Sequence, residues 1–150
     1  MIERLKKKDI KEAAKVYYKG LQMETPKGRA TFDKIIKHLQ EVSLFVYKEK
    51  GKIKGLVSFT FKEKDKIKMD FICTFELRKG IGKKLMKKLA EFAIRHKVEF
   101  IYSNISSQDK RVIKFYESLG FKKYGRYFVN KNFMLYRIKA KPEWINLKIV

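Results

Sequence analysis

The sequence predicts one mixed α/β domain, with a mostly antiparallel sheet flanked by helices. Three observations lead to this fold class. The chain has 150 residues, 45% of them hydrophobic, which is enough for one core of ordinary size. Apolar residues recur at helical spacing up to about residue 40 and alternate with period two from Ser43. A strand, a glycine loop and a helix follow around Gly80, and the complete predicted order is β-α-α-β-β-β-α-β-α-β-β.

Two helices are predicted near the N-terminus. Asp9 is expected to cap the first, which ends either at Gly20 or within residues 25–28. Thr31 is expected to cap the second. The apolar positions at helical spacing are Ile10, Ala13, Ala14, Tyr17 and Tyr18 in the first helix, and Phe32, Ile35, Ile36 and Leu39 in the second.

A three-stranded meander is predicted next. Its strands cover residues 44–47, 53–61 and 67–75, and charged turns connect them at 48–52 and 62–66. Strict alternation in the third strand places five side chains on one face, namely Ile67, Met69, Phe71, Cys73 and Phe75. The many lysines at the turns are expected to keep the sheet edges soluble.

The C-terminal half adds two helices and three strands. A helix runs from Gly80 to about His96, and a buried strand covers residues 100–103. A second helix covers about 108–119, with Gly120 as its C′ residue. Strands at 122–129 and 133–139 complete the domain, which is taken as residues 1–139 with a tail at 140–150.

The charge is strongly unbalanced. Lys and Arg number 38 against 16 Asp and Glu, a formal net charge of +22, and 31 of the cations are lysines. Such a chain attracts polyanions such as nucleic acid, an anionic membrane surface or a phosphorylated small molecule, although lysines can also simply solvate a surface. No apolar run reaches the ~20 residues of a membrane span, so we expect no membrane association. The lone Cys73 suits a reducing compartment, and the expected location is cytoplasmic.

The segment around Gly80 predicts an anion site. Gly80 and Gly82 would let the backbone approach a ligand closely, and the helix that begins there presents free N–H groups. Four cations surround it: Arg78, Lys79, Lys83 and Lys84. The spacing is neither that of a nucleotide-hydrolase phosphate loop nor a full dinucleotide fingerprint. His38 and His96 lack companions at metal-ligand spacing, so no metal is expected.

Two segments together carry a family resemblance. Residues 78–82 read Arg-Lys-Gly-Ile-Gly, and residues 115–121 read Phe-Tyr-Glu-Ser-Leu-Gly-Phe. In this order and spacing, and with the element order given above, the chain resembles the GNAT superfamily of N-acetyltransferases over most of its length. The acyl-CoA loop is one residue shorter than is usual in that family, because Leu77 stands where Arg or Gln is common.

The resemblance implies transfer of an acetyl group from acetyl-CoA, as co-substrate, to a primary amine by direct attack. It implies that the backbone of Phe71, Ile72, Cys73 and Thr74 binds the acetyl and pantetheine arm. It assigns the pyrophosphate to the amides of Arg78, Lys79, Gly80, Ile81, Gly82 and Lys83. Tyr116 would protonate the leaving thiolate, and Asp109 stands where the family often has an Asn that contacts pantetheine.

Several questions stay open at this stage. The general base could be Asp70, Glu76 or a water relay, and Asn104 stands where the branch that acetylates protein N-termini often has Glu. Tyr116 could instead be a core aromatic, Asp70 a surface charge, and Cys73 a small buried residue. The basic surface disfavours polyamines and favours a protein amine or an acidic acceptor. The alternative function is a weakly active or inactive relative whose basic surface binds RNA or ribosomes non-specifically, and under either function the chain is expected to be a monomer or homodimer.

Overall fold

Seven strands and four helices, in the predicted order, make up the part of the chain that the structure describes. The computed structural model describes residues 1–24, 31–74, 80–130 and 132–140, with only the backbone at 21–24 and 125–129. The strands are β1 (Ile2–Arg4), β2 (Ser43–Glu49), β3 (Lys52–Glu63), β4 (Lys66–Thr74), β5 (Phe100–Ser106), β6 (Lys122–Asn130) and β7 (Phe133–Lys139). The helices are α1 (Ile10–Glu24), α2 (Phe32–Glu41), α3 (Ile81–Arg95) and α4 (Lys110–Ser118).

The strands form one sheet in the order β1-β2-β3-β4-β5-β7-β6. Every neighbouring pair is antiparallel except β4 and β5, which are parallel and are connected through α3. Such a parallel connection needs a crossover, and the helix supplies it. The sheet is therefore mostly antiparallel, as the sequence predicts, with a single parallel junction near its centre.

Helices cover both faces of the sheet and create two core layers. In the α3–α4 layer, α3 packs on β2, β3 and β4, while α4 lies over β5. Fully buried members of this layer include Phe59, Ile67, Leu85, Leu89 and Ile101. In the α1–α2 layer, α1 packs on β3 and β4, with α2 beside it. Buried members of that layer include Ala13, Tyr17, Ile35, Leu39, Leu56 and Phe71.

Three local predictions are confirmed. Thr31 caps α2, since its hydroxyl accepts a hydrogen bond from the Lys34 N–H at 3.3 Å. The β2–β3 hairpin turns through Lys50 and Gly51, whose φ values of 50° and 77° suit a two-residue turn that matches the twist of the strands. Gly120 follows α4 with a φ of 100°, a backbone conformation that favours glycine.

Two other predictions need correction, and for a third the structure decides between two alternatives. Asp9 closes a 3-10 turn at Lys7–Asp9 that leads into α1, and its carboxylate accepts from Lys48 Nζ at 2.8 Å. Of the two ends predicted for α1, Gly20 is excluded, because the helix passes through it and ends at Glu24, directly before the alternative at residues 25–28. The five alternating side chains of β4 do not share a face, since Met69 faces the α3–α4 layer and Phe71 the α1–α2 layer.

A β-bulge causes this reversal in β4. Ser58 of β3 pairs with Phe71, whereas the next residue, Phe59, pairs with Met69. Asp70 is thus the extra residue of the bulge, which shifts the alternation of the strand by one position. Phe75, the last of the five predicted positions, lies outside the described residues.

Candidate active site

The sheet divides at its parallel junction. β4 and β5 pair only from Lys66 with Phe100 to Met69 with Ser103. Beyond that rung β4 continues beside β3 to Thr74, while β5 continues beside β7 to Ser106. The facing edges of the two strands therefore separate, and an unpaired strand edge presents backbone N–H and C=O groups to a ligand. We call this opening the fork.

Ser103 holds the base of the fork. Its side chain is 3% exposed, and its hydroxyl donates to the Met69 carbonyl oxygen at 3.4 Å, across the last parallel rung. The bulge at Asp70 begins one residue later on β4. The pairing of β4 with β5 therefore ends next to the bulge at which the β4 side chains change from one face of the sheet to the other. Residues 70–74 of β4 consequently lie at the fork.

Asp70 lies at the base of the fork, within reach of the charge of His38 on α2. One carboxylate oxygen lies 3.8 Å from Lys68 Nζ, and the side chain is 17% exposed. Desolvation by burial raises the Asp70 pKa above its usual 3.8, while the charges of Lys68 and His38 and the Thr60 hydroxyl act in the opposite direction. Its other oxygen is buried without a hydrogen-bond partner among the described residues. The structure therefore places Asp70 where a raised pKa would make it a stronger base.

The residues after Asp70 lie along one edge of the fork. Phe71 packs its ring 4.6 Å from that of Tyr17, and half-buried Cys73 lies against Gly20 of α1. A Cβ at Gly20 would come within 3.0 Å of the Cys73 Sγ, so glycine is needed for this close approach. Cys73 therefore has a packing role, as one of the readings of the sequence proposed. The Thr74 hydroxyl is buried and has no hydrogen-bond partner among the described residues.

The N-terminus of α3 lies beside the end of β4. Gly80 adopts a φ of 69° as the N-cap, and the first helical hydrogen bond runs from the Lys84 N–H to the Gly80 carbonyl at 3.0 Å. The amides of Ile81, Gly82 and Lys83 therefore precede the helical hydrogen-bond ladder, and the positive end of the helix dipole lies there. This geometry matches the anion site that the sequence predicts.

The two glycines of this segment have separate roles. Gly80 supplies the left-handed backbone of the cap. Gly82 is buried inside the first turn, where a Cβ would lie 3.2 Å from the Phe115 ring of α4. The spacing of the motif therefore serves helix packing as well as access to a ligand. Arg78, Lys79 and Glu76 lie outside the described residues.

Helix α4 carries the other predicted residues. The Asp109 carboxylate accepts from the Val112 N–H at 3.2 Å and so caps the helix, a role that the resemblance does not imply. At the other end the Phe121 N–H donates to the Tyr116 carbonyl at 3.1 Å, and the Gly120 N–H donates to the Glu117 carbonyl at 3.0 Å. These two bonds form a Schellman motif.

The Schellman motif fixes the position of Tyr116. The Phe121 ring packs edge-on against Tyr116, with the ring centroids 5.1 Å apart, and Tyr116 is 6% exposed. The sequence Tyr-Glu-Ser-Leu-Gly-Phe is therefore a helix end with the hydrophobic contact that accompanies such a cap. Tyr116 is anchored in the α3–α4 layer, and its role as a proton donor stays a prediction.

Sequence reasoning missed three contributors to this site. The bulge, the Ser103 hydrogen bond and the contact between Gly20 and Cys73 depend on which strands and helices become neighbours. Gly20 did carry a signal, because an isolated glycine within a helical pattern often marks a close contact.

Comparison with known proteins agrees with this geometry. The family model described as the acetyltransferase (GNAT) domain matches residues 12–141. No curated protein matches the chain in sequence. The N-acetyltransferase of Staphylococcus aureus Mu50 is similar in structure, with a TM-score of 0.73 and 21% identity, over 94% of this chain and 98% of that one.

Two further solved structures share the fold. The ribosomal-protein-alanine N-acetyltransferase of Brucella melitensis has a TM-score of 0.74 at 16% identity, over 93% of this chain and 99% of its own. The yncA protein of Salmonella typhimurium, solved with its cofactor acetyl-CoA, has a TM-score of 0.72 at 18% identity, over 94% of both chains. Because the family model covers most of the sequence, this chain belongs to the GNAT acetyltransferase family.

Proposed function

We propose that the protein transfers the acetyl group of acetyl-CoA to a primary amine by direct attack. The observation that carries the proposal is the placement of two features at one end of β4. The fork opens after Met69, and the free amides of α3 lie just beyond Thr74. A thioester with a pantetheine arm and a pyrophosphate needs an extended hydrogen-bonding edge that leads to an anion site.

The described residues fit acetyl-CoA in three respects. The exposed edge of β4 at 71–74 can hydrogen-bond the pantetheine amides, and the buried Thr74 hydroxyl offers a further donor. The α3 amides can bind the pyrophosphate, with Lys83 on the first turn adding positive charge. The Asp109 carboxylate accepts the capping hydrogen bond from the Val112 N–H, and its remaining lone pairs could accept a hydrogen bond from a pantetheine N–H. Arg78 and Lys79 stay part of the proposed pyrophosphate site.

The chemistry requires two proton transfers. As the amine nitrogen bonds to the thioester carbonyl carbon and the C–S bond breaks, the ammonium loses one proton and the thiolate gains one. Asp70, with its raised pKa, is the proposed base. Tyr116 is the proposed acid, because a phenol stays protonated near pH 7. A backbone N–H at the fork would stabilise the negative charge that develops on the carbonyl oxygen.

The acceptor is proposed to be a protein amine or another amine that carries negative charge. A net charge of +22 repels polyamines and attracts acidic surfaces. The Brucella neighbour acts on a ribosomal-protein alanine, which makes a protein N-terminus one acceptor to test. The exposed Asn104 cannot act as a base, so N-terminal acetylation here would depend on Asp70.

Calorimetry with acetyl-CoA and a thiol-release assay with a panel of amines test this proposal. Gly80→Trp should abolish coenzyme binding, because it blocks the amides of the anion site. Asp70→Asn and Tyr116→Phe should bind acetyl-CoA like the wild type and lower kcat by about 10²-fold or more. Asp33→Asn, which removes an exposed carboxylate on α2, is the matched control. Undetectable binding of acetyl-CoA to the wild type would refute the proposal.

A further inference from the structure

Three rings form an aromatic platform at the C-terminal end of α3. Phe92 and His96 stack with their ring centroids 4.0 Å apart, and the ring of Phe61 from β3 lies 5.9 Å from Phe92 and 6.1 Å from His96. Phe61 is 49% exposed, although an aromatic of its size usually finds cover. We call Phe61, Phe92 and His96 the ring platform.

Buried aromatic rings pack against the ring platform on its core side. Phe92 also contacts the buried rings of Phe59 at 5.2 Å and Phe45 at 5.7 Å. Aromatic side chains therefore run without a break from the core to the surface. A supported aromatic surface loses little conformational entropy when a planar group stacks on it.

A basic groove of about 370 Å³ adjoins the ring platform. Arg4, Lys88 and Arg95 line it, and the Arg4 guanidinium lies 5.5 Å from the Phe92 ring centroid. Of its two acidic lining residues, Glu3 is already bound by Lys48 at 2.8 Å. The groove therefore keeps a positive balance directly beside the rings.

Basic residues continue from this groove along α3. Lys84, Lys88 and Arg95 lie at intervals of four and seven residues and so share a helix face, on which the acidic Glu91 stands between Lys88 and Arg95. At 1.5 Å per residue the row spans about 16 Å. Cations in a row beside stacking rings match a ligand that repeats phosphate and base along its length.

We propose that the ring platform and the basic row along α3 bind single-stranded RNA. The bases of single-stranded loops and ends are unpaired and can stack on Phe or His rings, while Lys and Arg contact the phosphates. The overall charge of +22 favours association with a polyanion. An acidic peptide would satisfy the cations but leave the exposed rings unused. The ring platform, Lys88 and Arg95 lie towards the opposite end of α3 from the proposed coenzyme site, so the inference is independent of acetyl transfer, and Lys84, in the first turn, adjoins both sites.

Fluorescence anisotropy with a labelled RNA of about 12 nucleotides tests this inference, with an abasic oligomer of the same length as matched ligand. The wild type should bind the RNA more tightly than the abasic oligomer. Phe61→Ala should weaken RNA binding by roughly 5- to 150-fold and leave binding of the abasic oligomer unchanged. Tyr18→Ala, which removes a similarly exposed aromatic from α1, should change neither. Phe61→Leu keeps apolar volume without a ring and should behave like Phe61→Ala.

The basic row is tested by salt dependence. Between about 50 and 200 mM salt, Lys88→Gln should flatten the logarithmic slope of affinity by about 0.7, the value of one phosphate contact with a single strand. Lys15→Gln on α1 should leave the slope unchanged. Equal affinity for RNA and abasic oligomer, or equal effects of Phe61→Ala and Tyr18→Ala, would overturn the inference. Displacement of the RNA by an acidic peptide at similar concentration would overturn it too.

Discussion

Replacing Gly55 by alanine should disturb the packing of α3 on the sheet, and so weaken acetyl-CoA binding by more than the accompanying loss of stability explains. Gly55 lies on β3 opposite Thr74, directly beneath the first turn of α3. A Cβ there would lie 2.9 Å from the Ile81 Cγ2 and 3.0 Å from the Cys73 carbonyl oxygen. The Cys73 carbonyl is backbone of a paired strand, so most of the adjustment should fall on the Ile81 side chain and on the first turn of α3 that carries it. The turn that carries the proposed pyrophosphate amides would therefore shift away from β4.

The size of the effect follows from these contacts. Overpacking a core position costs about 1–3 kcal/mol, and the smaller conformational freedom of alanine in the unfolded chain returns about 0.4–1 kcal/mol. A net loss of about 1–2 kcal/mol corresponds to a fall in Tm of about 2–8 °C for a chain of this size. Loosening one charge-assisted hydrogen bond at the anion site costs about 1.5 kcal/mol or more. Affinity for acetyl-CoA should thus fall about tenfold or more.

Gly51→Ala is the matched control. Gly51 has a φ of 77° and no atom within 4 Å of its would-be Cβ, so alanine there costs about 1–2 kcal/mol through backbone strain alone. Thermal melting should show similar losses for both variants, while calorimetry should show weaker binding of acetyl-CoA only for Gly55→Ala. If both variants bind acetyl-CoA within twofold of the wild type, the packing of α3 on Gly55 does not position the coenzyme.

Three further changes give checkable outcomes. Lys48 lowers the pKa of Glu3 below 4.5 and the pKa of Asp9 below 3.8, chiefly through hydrogen bonds. These two interactions therefore stabilise the folded protein above those values, and their contribution is lost as the pH falls through the lowered pKa values. Lys48→Met should thus lower the Tm at pH 7, and the gap to wild type should close below pH 3.8; a gap that persists in acid contradicts the assignment. Gly120→Ala would place alanine at a φ of 100° in the α4 cap, and this strain should lower both Tm and kcat. An unchanged kcat would show that the cap does not position a catalytic group. The Ser58 hydroxyl is fully buried and has no hydrogen-bond partner among the described residues, so Ser58→Ala should raise stability by about 1 kcal/mol in denaturant melts, and a loss would reveal a hidden partner.

Features set by neighbouring residues could be predicted from the sequence. The Thr31 cap, the hairpin turn at Lys50–Gly51 and the αL residue Gly120 each depend on a few consecutive side chains. The order of elements also follows from changes of apolar period along the chain. The two motifs that carry the family resemblance belong to this class, since one is a helix start and the other a helix end.

Features that depend on which strands and helices become neighbours could not be predicted from consecutive residues. The alternation of β4 reads as one uninterrupted strand, because the extra residue at Asp70 becomes visible only against its partner β3. The burial that raises the Asp70 pKa, and the groups on β3, β4 and α2 that oppose it, likewise come together only in the fold. The sequence offered surface charge and catalysis as alternatives for Asp70, and the structure shows a side chain that is 17% exposed, with catalysis remaining a prediction.

The ring platform shows why a search along the chain for basic residues interleaved with aromatics finds no RNA site here. Phe61 lies on β3, more than thirty residues before His96 at the end of α3, and the two meet only because the helix crosses the sheet. Lysines that look evenly scattered in sequence become a row once Lys84 and Lys88 lie on one helix face. Part of the +22 charge therefore lies at the start of α3, beside the proposed coenzyme site, and part lies towards its end, where it adjoins exposed rings. Substitutions at the end of α3 should accordingly change the proposed RNA binding without changing the proposed coenzyme binding.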